Sequence, residues 1–130
     1  MAISPAEFHI LVSLSDADRH GYGIMQQVEA DSEGVIRLGP GTLYGAIKRL
    51  LASGLIKETT EGIDPKLDDS RRRYYRLTAS GRKAVVEESE RLAGLVRLAR
   101  TKRLLAKEGP AYAHPLRGEL RLGKPARSRS

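Results

Sequence analysis

The segment LGPGTLYGAIKRL, residues Leu38–Leu50, and the segment RRRYYRLT, residues Arg71–Thr78, are the most informative parts of this 130-residue chain. The first predicts a helix that begins at Pro40 or Thr42 and ends at about Ser53, where a glycine follows. Leucine and isoleucine line one side of this third helix, and the opposite side is small and basic. The residues of that opposite side are Thr42, Gly45, Lys48, Arg49 and Ala52.

The second segment completes a hairpin directly after this helix. Residues Leu55–Thr59 have strand character, residues 60–70 contain turn signals, and Arg73–Leu77 form the returning strand. Tyr75 and Leu77 are expected on one side of that strand, and Tyr74 and Arg76 on the other. A helix with a small basic side, joined to a hairpin with arginines at its turn, is how a winged helix-turn-helix grips duplex DNA.

Two helices are predicted before this pair. Ser4, Pro5 and Glu7 combine an N-cap, a first-turn proline and a capping-box acid, so a first helix starts there and ends near Leu14 or Ser15. This helix is apolar over more of its circumference than one core face requires, which indicates cover from outside its own domain. A second helix is predicted from Tyr22 to Ala30. The fold class is therefore mainly α with a small β-hairpin.

A long helix is predicted from the N-cap Thr78 to about Lys107, before Gly109-Pro110. Its apolar stripe consists of Val85, Leu92, Leu95, Val96 and Ala99. At 1.5 Å per residue the helix measures roughly 45 Å, longer than a small domain is wide. Such a stripe cannot be buried within one subunit, so the sequence predicts a dimer.

Composition and these boundaries divide the chain into three parts. Residues 1–78 are the predicted winged-helix domain, residues 79–108 the dimerisation helix, and residues 109–130 a basic disordered tail. The formal net charge is +7, of which the tail carries +4. A positive surplus favours a polyanionic partner but does not by itself identify DNA. The tail is interpreted as a solubilising end, with a second interpretation as a sequence-independent electrostatic arm on nucleic acid.

Several classes of site are excluded on composition. The chain has no cysteine and three scattered histidines, so neither thiolate chemistry nor a metal site is expected. Gly39-Pro40-Gly41 lacks the spacing of a dinucleotide or phosphate loop, and no nucleophile-base arrangement is visible, so we expect no cofactor, no catalytic residue and no enzyme activity. No membrane span or signal peptide is visible, which predicts a cytoplasmic protein that associates with the nucleoid when bound to DNA.

The motifs together resemble those of one family. At HGY (residues 20–22), GPGTLY (39–44), IKRL (47–50), GLI (54–56) and RYYRLT (73–78), the chain resembles the PadR family of bacterial transcriptional regulators. The similarity covers Ile10 to about Arg82. It implies a winged-helix homodimer, usually a repressor, that binds a pseudo-palindromic operator. It also implies a dimer interface built from the first helix and the C-terminal helix, with Phe8, Leu11, Leu92, Leu95, Val96 and Ala99 as candidate contacts.

The resemblance and the helix pattern together define a candidate DNA-binding set. It consists of Tyr22, Thr42, Tyr44, Gly45, Lys48, Arg49, Arg71, Arg72 and Arg73. Tyr22 and Tyr44 have an alternative interpretation as ordinary boundary aromatics, and the arginines as a solvated turn paired with Asp68 and Asp69. His20 is interpreted as a helix-start residue. The chain departs from the family pattern at Gly45, where a proline is common, and at Gly23, where a glutamate is common.

The predicted function is that of a PadR-type DNA-binding regulator without cofactor. The alternative is a winged-helix protein-interaction module that does not bind DNA specifically, and a third possibility is structured-RNA binding through the tail. A small-molecule effector is compatible with the sequence, but the tryptophans that hold flat aromatic compounds in some family members are absent here. Neither the operator nor the direction of regulation follows from the sequence.

Overall fold

The computed structural model describes residues 2–60 and 73–106. The chain divides into two compact units, with the boundary between Glu90 and Arg91. The predicted tail and the predicted wing turn, including Arg71 and Arg72, lie outside the described residues. Among the helices that are described, none combines the length and apolar character needed to cross a bilayer.

The first helix, α1, spans Pro5–Ser13 and begins where the sequence predicts. The Ser4 hydroxyl accepts a hydrogen bond from the Glu7 N–H at 3.1 Å, and Glu7 Oε1 accepts one from the Ser4 N–H at 2.9 Å. These two bonds form a complete capping box, which satisfies two backbone donors that a helix start would otherwise leave unpaired. The helix ends one to two residues earlier than predicted.

Helices α2 and α3 form the helix-turn-helix. α2 spans Gly21–Asp31 and is capped by His20, whose Nδ1 accepts a hydrogen bond from the Gly23 N–H at 3.0 Å. This confirms the interpretation of His20 as a helix-start residue. α3 spans Pro40–Ala52, and the chain turns out of it through Gly54 at a φ of 77°. That left-handed backbone suits glycine, as the sequence predicts.

The sheet contains three strands where the sequence predicted two. β1 spans Arg19–His20, β2 spans Ile56–Thr59 and β3 spans Tyr74–Leu77, in the antiparallel order β1-β3-β2. Tyr75 and Leu77 are buried and their neighbours in β3 are half-buried, so the predicted alternation is confirmed. β1 was missed because two residues are too few to show the period-2 pattern of a strand.

A bidentate ion pair links β3 to the segment that precedes α2. Arg76 Nη2 lies 2.7 Å from Asp18 Oδ2, and Arg76 Nε lies 3.1 Å from Asp18 Oδ1. The pair joins residues 58 positions apart in the chain. Two parallel bonds between a guanidinium and a carboxylate restrict orientation as well as distance, so β3 is held to the start of the helix-turn-helix.

One hydrophobic core holds the first unit together. α1 packs against both α2 and α3, and α3 packs against β2. The core side chains are Ile10, Leu11, Leu14, Ile24, Val28, Leu38, Leu43, Ala46, Ile47, Leu50, Leu55, Ile56, Tyr75 and Leu77. Because α1, α2, α3, β2 and β3 all contribute side chains to this core, the three helices and the hairpin are packed as one unit.

Helix α4 spans Ala79–Thr101, so it ends about six residues before the predicted end at Lys107. The chain leaves it through Arg103 at a φ of 63°, and the Leu104 N–H donates to the Ala99 carbonyl at 2.8 Å. This is the hydrogen bond of a Schellman ending, formed here without the usual glycine. The prediction of a longer helix was wrong because it relied on Gly109-Pro110 as the first stop signal.

Gly81 explains how α4 begins against the first unit. The Gly81 N–H donates to Thr78 Oγ1 at 3.0 Å, which confirms Thr78 as a capping residue. A Cβ at position 81 would collide with the Leu55 carbonyl oxygen and lie 2.8 Å from Leu77 Cδ1. Glycine is therefore required by close packing at this position, which sequence reasoning did not single out.

Candidate nucleic-acid interface

The exposed side of α3 is the first component of the candidate interface. Leu43, Ala46, Ile47 and Leu50 are buried, whereas Thr42, Tyr44 and Lys48 are exposed. We call these last three residues the reading face. Lys48 makes no ion pair with any residue that the structure describes. The predicted two-sided character of α3 is confirmed.

The first turn of α3 consists of small residues and has free space around it. Gly39 is the N-cap, Pro40 occupies the first turn, and no side chain caps the helix. Added Cβ atoms at Gly39 and Gly41 would meet no atom within 4 Å, so packing within the described chain does not require glycine at either position. Small residues here allow another molecule to approach the backbone closely, and the N-terminus of a helix favours anionic groups.

Tyr44 lies directly on the first residue of α2. A Cβ at Gly21 would collide with the Tyr44 hydroxyl and lie 2.7 Å from its Cζ, so a glycine is needed for this contact. Tyr44 is nevertheless 50% exposed. The sequence predicted Tyr44 as a site residue but gave no role to Gly21. A contact between two helices leaves no pattern in the sequence of either helix.

This contact forms one wall of an open groove of about 360 Å³. We call it the tyrosine groove; its lining residues are His20, Gly21, Tyr22, Tyr44, Arg73 and Tyr75. Three members of the predicted DNA-binding set, from α2, from α3 and from the residue before β3, therefore meet at one place. Phenol hydroxyls and a guanidinium are hydrogen-bond donors that suit phosphate oxygens.

His20, which lines the tyrosine groove, packs against a tyrosine of β3. The rings of His20 and Tyr74 pack edge to face, with centroids 5.3 Å apart and an interplanar angle of 83°. Burial, followed by the nearby carboxylate of Glu58, raises the pKa of Tyr75 above its ordinary value of 10.0. The Tyr75 hydroxyl therefore stays protonated at neutral pH.

The predicted arginines differ in their surroundings. Arg73 lies at the edge of the tyrosine groove, and its Nη1 is 3.5 Å from Glu58 Oε2 in an exposed pair. Such a pair holds an arginine weakly, so Arg73 remains able to contact a phosphate. Arg49 Nε instead lies 2.8 Å from Glu7 Oε2 on α1. Gly45 lies beside the Arg49 guanidinium, since an added Cβ at position 45 would be 3.7 Å from Arg49 Nη1.

The candidate dimer contacts also differ from one another. Leu11 has no exposed surface because it belongs to the core of the first unit, so a dimer contact from α1 depends on the half-buried Phe8. In the second unit, Leu95 and Val96 are exposed, whereas Leu92 and Ala99 are half-buried. Apolar side chains with this much exposed surface are available to a further chain.

Within residues 2–60 and 73–106, no three histidine or acidic side chains come close enough to hold a metal ion. What the described residues bring together is a set of hydrogen-bond donors on α3 and in the tyrosine groove.

Comparisons with known proteins agree with this architecture. Residues 10–87 match the Transcriptional regulator PadR-like family. A protein named as a transcriptional regulator in Mycobacterium tuberculosis is 36% identical over 89 residues, which cover 68% of this chain and 77% of that protein. An uncharacterised 37.1 kDa protein encoded in a transposon of Streptomyces fradiae is 36% identical over 95 residues, 73% of this chain. The match spans only 25% of that longer relative.

Two solved structures share the fold. A PadR family transcription regulator from Clostridium difficile aligns with a TM-score of 0.64 at 23% identity, over 75% of this chain and 97% of that one. A transcriptional regulator from Clostridium thermocellum aligns with a TM-score of 0.61 at 26% identity, over 73% and 89% respectively. Because the family match covers more than half of the sequence and includes both helices of the helix-turn-helix and the strands of the wing, this chain belongs to the PadR-like family of transcriptional regulators.

Proposed function

We propose that this protein is a homodimeric repressor that binds a pseudo-palindromic operator through α3 and the wing. The observation that carries the proposal is the position of the reading face beside the tyrosine groove. An exposed helix face, whose Lys48 makes no ion pair within the described part of the chain, is thereby joined to a cluster of hydrogen-bond donors from α2 and β3. Base-reading and phosphate-binding groups must adjoin in this way if a helix is to be held in the major groove.

Each residue of the interface has a distinct role in the proposal. Thr42 and Lys48 face the base edges and the adjoining backbone, since threonine and lysine both donate hydrogen bonds in the major groove. Tyr22, Tyr44 and Arg73 contact phosphates at the tyrosine groove and fix the depth of α3. Arg71 and Arg72, which lie outside the described residues, extend the phosphate contacts along the wing.

The dimer gives the operator its symmetry. We assign the subunit interface to Phe8 of α1 and to the apolar side of α4, on which Leu95 and Val96 are 50% and 40% exposed. Two copies of α3 in successive major grooves lie about 34 Å apart, which requires two half-sites one helical turn apart. Occupation of a promoter in this way blocks transcription. A small-molecule effector would act by changing the separation of the two α3 helices.

Lys48→Glu is the decisive test. A duplex selected by the wild-type protein from a random-sequence library is compared with a scrambled duplex by fluorescence anisotropy at two salt concentrations. We expect tight binding to the selected duplex only. Lys48→Glu is expected to weaken it at least 100-fold, because a carboxylate replaces a cation facing the DNA in both subunits.

A matched control variant carries the same lysine-to-glutamate change at a position outside the proposed DNA interface. Lys83→Glu alters an exposed lysine on α4 and is expected to bind within a few-fold of wild type. Equal, weak binding of the wild type to both duplexes would contradict the proposal and favour a protein-interaction module, which tolerates Lys48→Glu. Loss of all binding on truncation after Glu108 would instead favour nucleic-acid binding through the tail.

A further inference from the structure

Arg49 follows Lys48 on α3, but its side chain is directed to another helix. Its Nε donates to Glu7 Oε2 at 2.8 Å, a contact between residues 42 positions apart. The side chain of Glu7 is only 13% exposed, whereas that of Arg49 is 61% exposed. The carboxylate is therefore the fixed partner, and the arginine reaches from α3 to meet it.

Glu7 is held from its other side by the capping box of α1. Its Oε1 accepts from the Ser4 N–H at 2.9 Å while Oε2 accepts from Arg49, so both carboxylate oxygens are used. Burial raises the pKa of Glu7, but the bonds and charge of Arg49 together with the bonds from Ser4 outweigh it and leave the pKa below 4.5. The carboxylate is charged and oriented at neutral pH, which strengthens its bond to a guanidinium.

Gly45 lies along the path of the arginine. A Cβ at position 45 would lie 3.7 Å from Arg49 Nη1, so the guanidinium lies beside Gly45. Alanine would fit at this distance, but a longer side chain would compete with the guanidinium for its place. Two residues of the sequence-predicted DNA-binding set thus belong to one structural link between α1 and α3.

We propose that Arg49 is a positioning residue, which orients α3 on α1 through Glu7 and does not itself contact DNA. This inference rests on the proposed function, because its effect is expressed in DNA binding. Without the link, α3 is held to α1 by apolar packing alone, which restrains sliding and rotation less than a directional charged bond does. Since α1 also carries Phe8 of the proposed dimer interface, the link connects that interface to the reading face.

Glu7→Gln separates positioning from direct contact. Glutamine also serves in a capping box, so the start of α1 is retained while the charge that holds Arg49 is removed. We expect DNA affinity for the selected duplex to fall about two- to fivefold, as for loss of a partly exposed ion pair, with an unchanged salt dependence. If Arg49 contacted a phosphate instead, removal of the competing Glu7 charge would raise the affinity rather than lower it.

Two further variants distinguish an effect of the Glu7–Arg49 pair from a general loss of stability and from direct DNA contact by Arg49. Ser4→Ala removes the hydroxyl that accepts from the Glu7 N–H but leaves the Glu7–Arg49 pair. We expect it to lower thermal stability. Its DNA affinity, measured at a temperature where all variants are folded, is expected to equal that of wild type. The double variant Glu7→Arg with Arg49→Glu is expected to bind DNA more tightly than Arg49→Glu alone. A DNA-contacting position would reject glutamate equally in both backgrounds.

The outcomes distinguish this inference from the proposed function. A wild-type protein that selects no duplex contradicts the proposed function and the inference together. A wild-type protein that selects a duplex, with Glu7→Gln binding equally or more tightly, overturns the positioning role of Arg49 and leaves the proposed function standing.

Discussion

Helices α3 and α4 both space apolar residues at helical intervals, yet they use that pattern differently. α3 buries four residues in the core, so its opposite side is defined as an exposed reading face. Among the residues of α4, all of which the structure describes, only Gly81 is buried. Leu95 is 50% exposed although it lies on the predicted apolar stripe. Apolar periodicity therefore predicts a helix face that must be covered, while the element that covers it depends on the rest of the fold.

Matched truncations of Ile47 and Leu95 test this difference most strongly. Ile47→Ala is expected to lower the free energy of unfolding by about 2–5 kcal/mol, since it removes a fully packed side chain. Leu95→Ala is expected to change it by less than about 1 kcal/mol at protein concentrations too low for association. Urea unfolding measures both.

The same two variants also report on the dimer. At higher protein concentration, Leu95→Ala is expected to lower the apparent stability relative to wild type and to weaken association measured by sedimentation, because oligomer formation adds to stability by mass action. A large loss from Leu95→Ala that does not depend on protein concentration would show that a single chain already buries the stripe.

Two glycines within α4 provide a second, smaller contrast. Gly81→Ala is expected to destabilise the protein by about 1–3 kcal/mol, because the added Cβ collides with the Leu55 carbonyl oxygen. Gly94→Ala places its Cβ 3.5 Å from Arg97 Nη2, an ordinary contact, and is expected to stabilise the helix by about 0.5–1 kcal/mol. Opposite shifts in thermal unfolding temperature would confirm the contrast, and stabilisation by both alanines would refute it.

The smallest expected effect is a pH dependence at the junction of α1 and α3. Because the folded pKa of Glu7 lies below 4.5, its ionised form stabilises the folded state above pH 4.5. This contribution is lost as the pH falls below 4.5 through the folded pKa. Wild type and Glu7→Gln should therefore differ more in unfolding free energy at pH 6 than at pH 3. A difference that grows on acidification would contradict this assignment.

Local signals in the sequence predicted much of the fold. The capping box at Ser4, the proline start of α3 and the glycine after it were predicted correctly because each depends on backbone groups within a few residues. The alternation in β3 was also correct. The end of α4 was not, since a left-handed Arg103 carries no sequence signal comparable to glycine.

The sequence selected the candidate site residues one by one, but it could not give their arrangement. Tyr22, Tyr44 and Arg73 were chosen from motifs, and the structure brings all three into one groove. Arg49 was grouped with Lys48 because the two are adjacent on the same basic side of α3. Its contact with Glu7 could not be read from that spacing, since the partner belongs to a helix 42 positions earlier.

Local sequence patterns establish where the helices start, which of their sides are apolar and which residue types lie on the polar sides. These properties arise from short-range backbone bonding and from side-chain spacing. Three contacts follow only from the tertiary structure. The Tyr44 ring occupies the space that a side chain at Gly21 would need, Asp18 binds Arg76, and Arg49 binds Glu7. Each of these depends on a distance between segments far apart in the chain, and such distances are set only when the common core is packed.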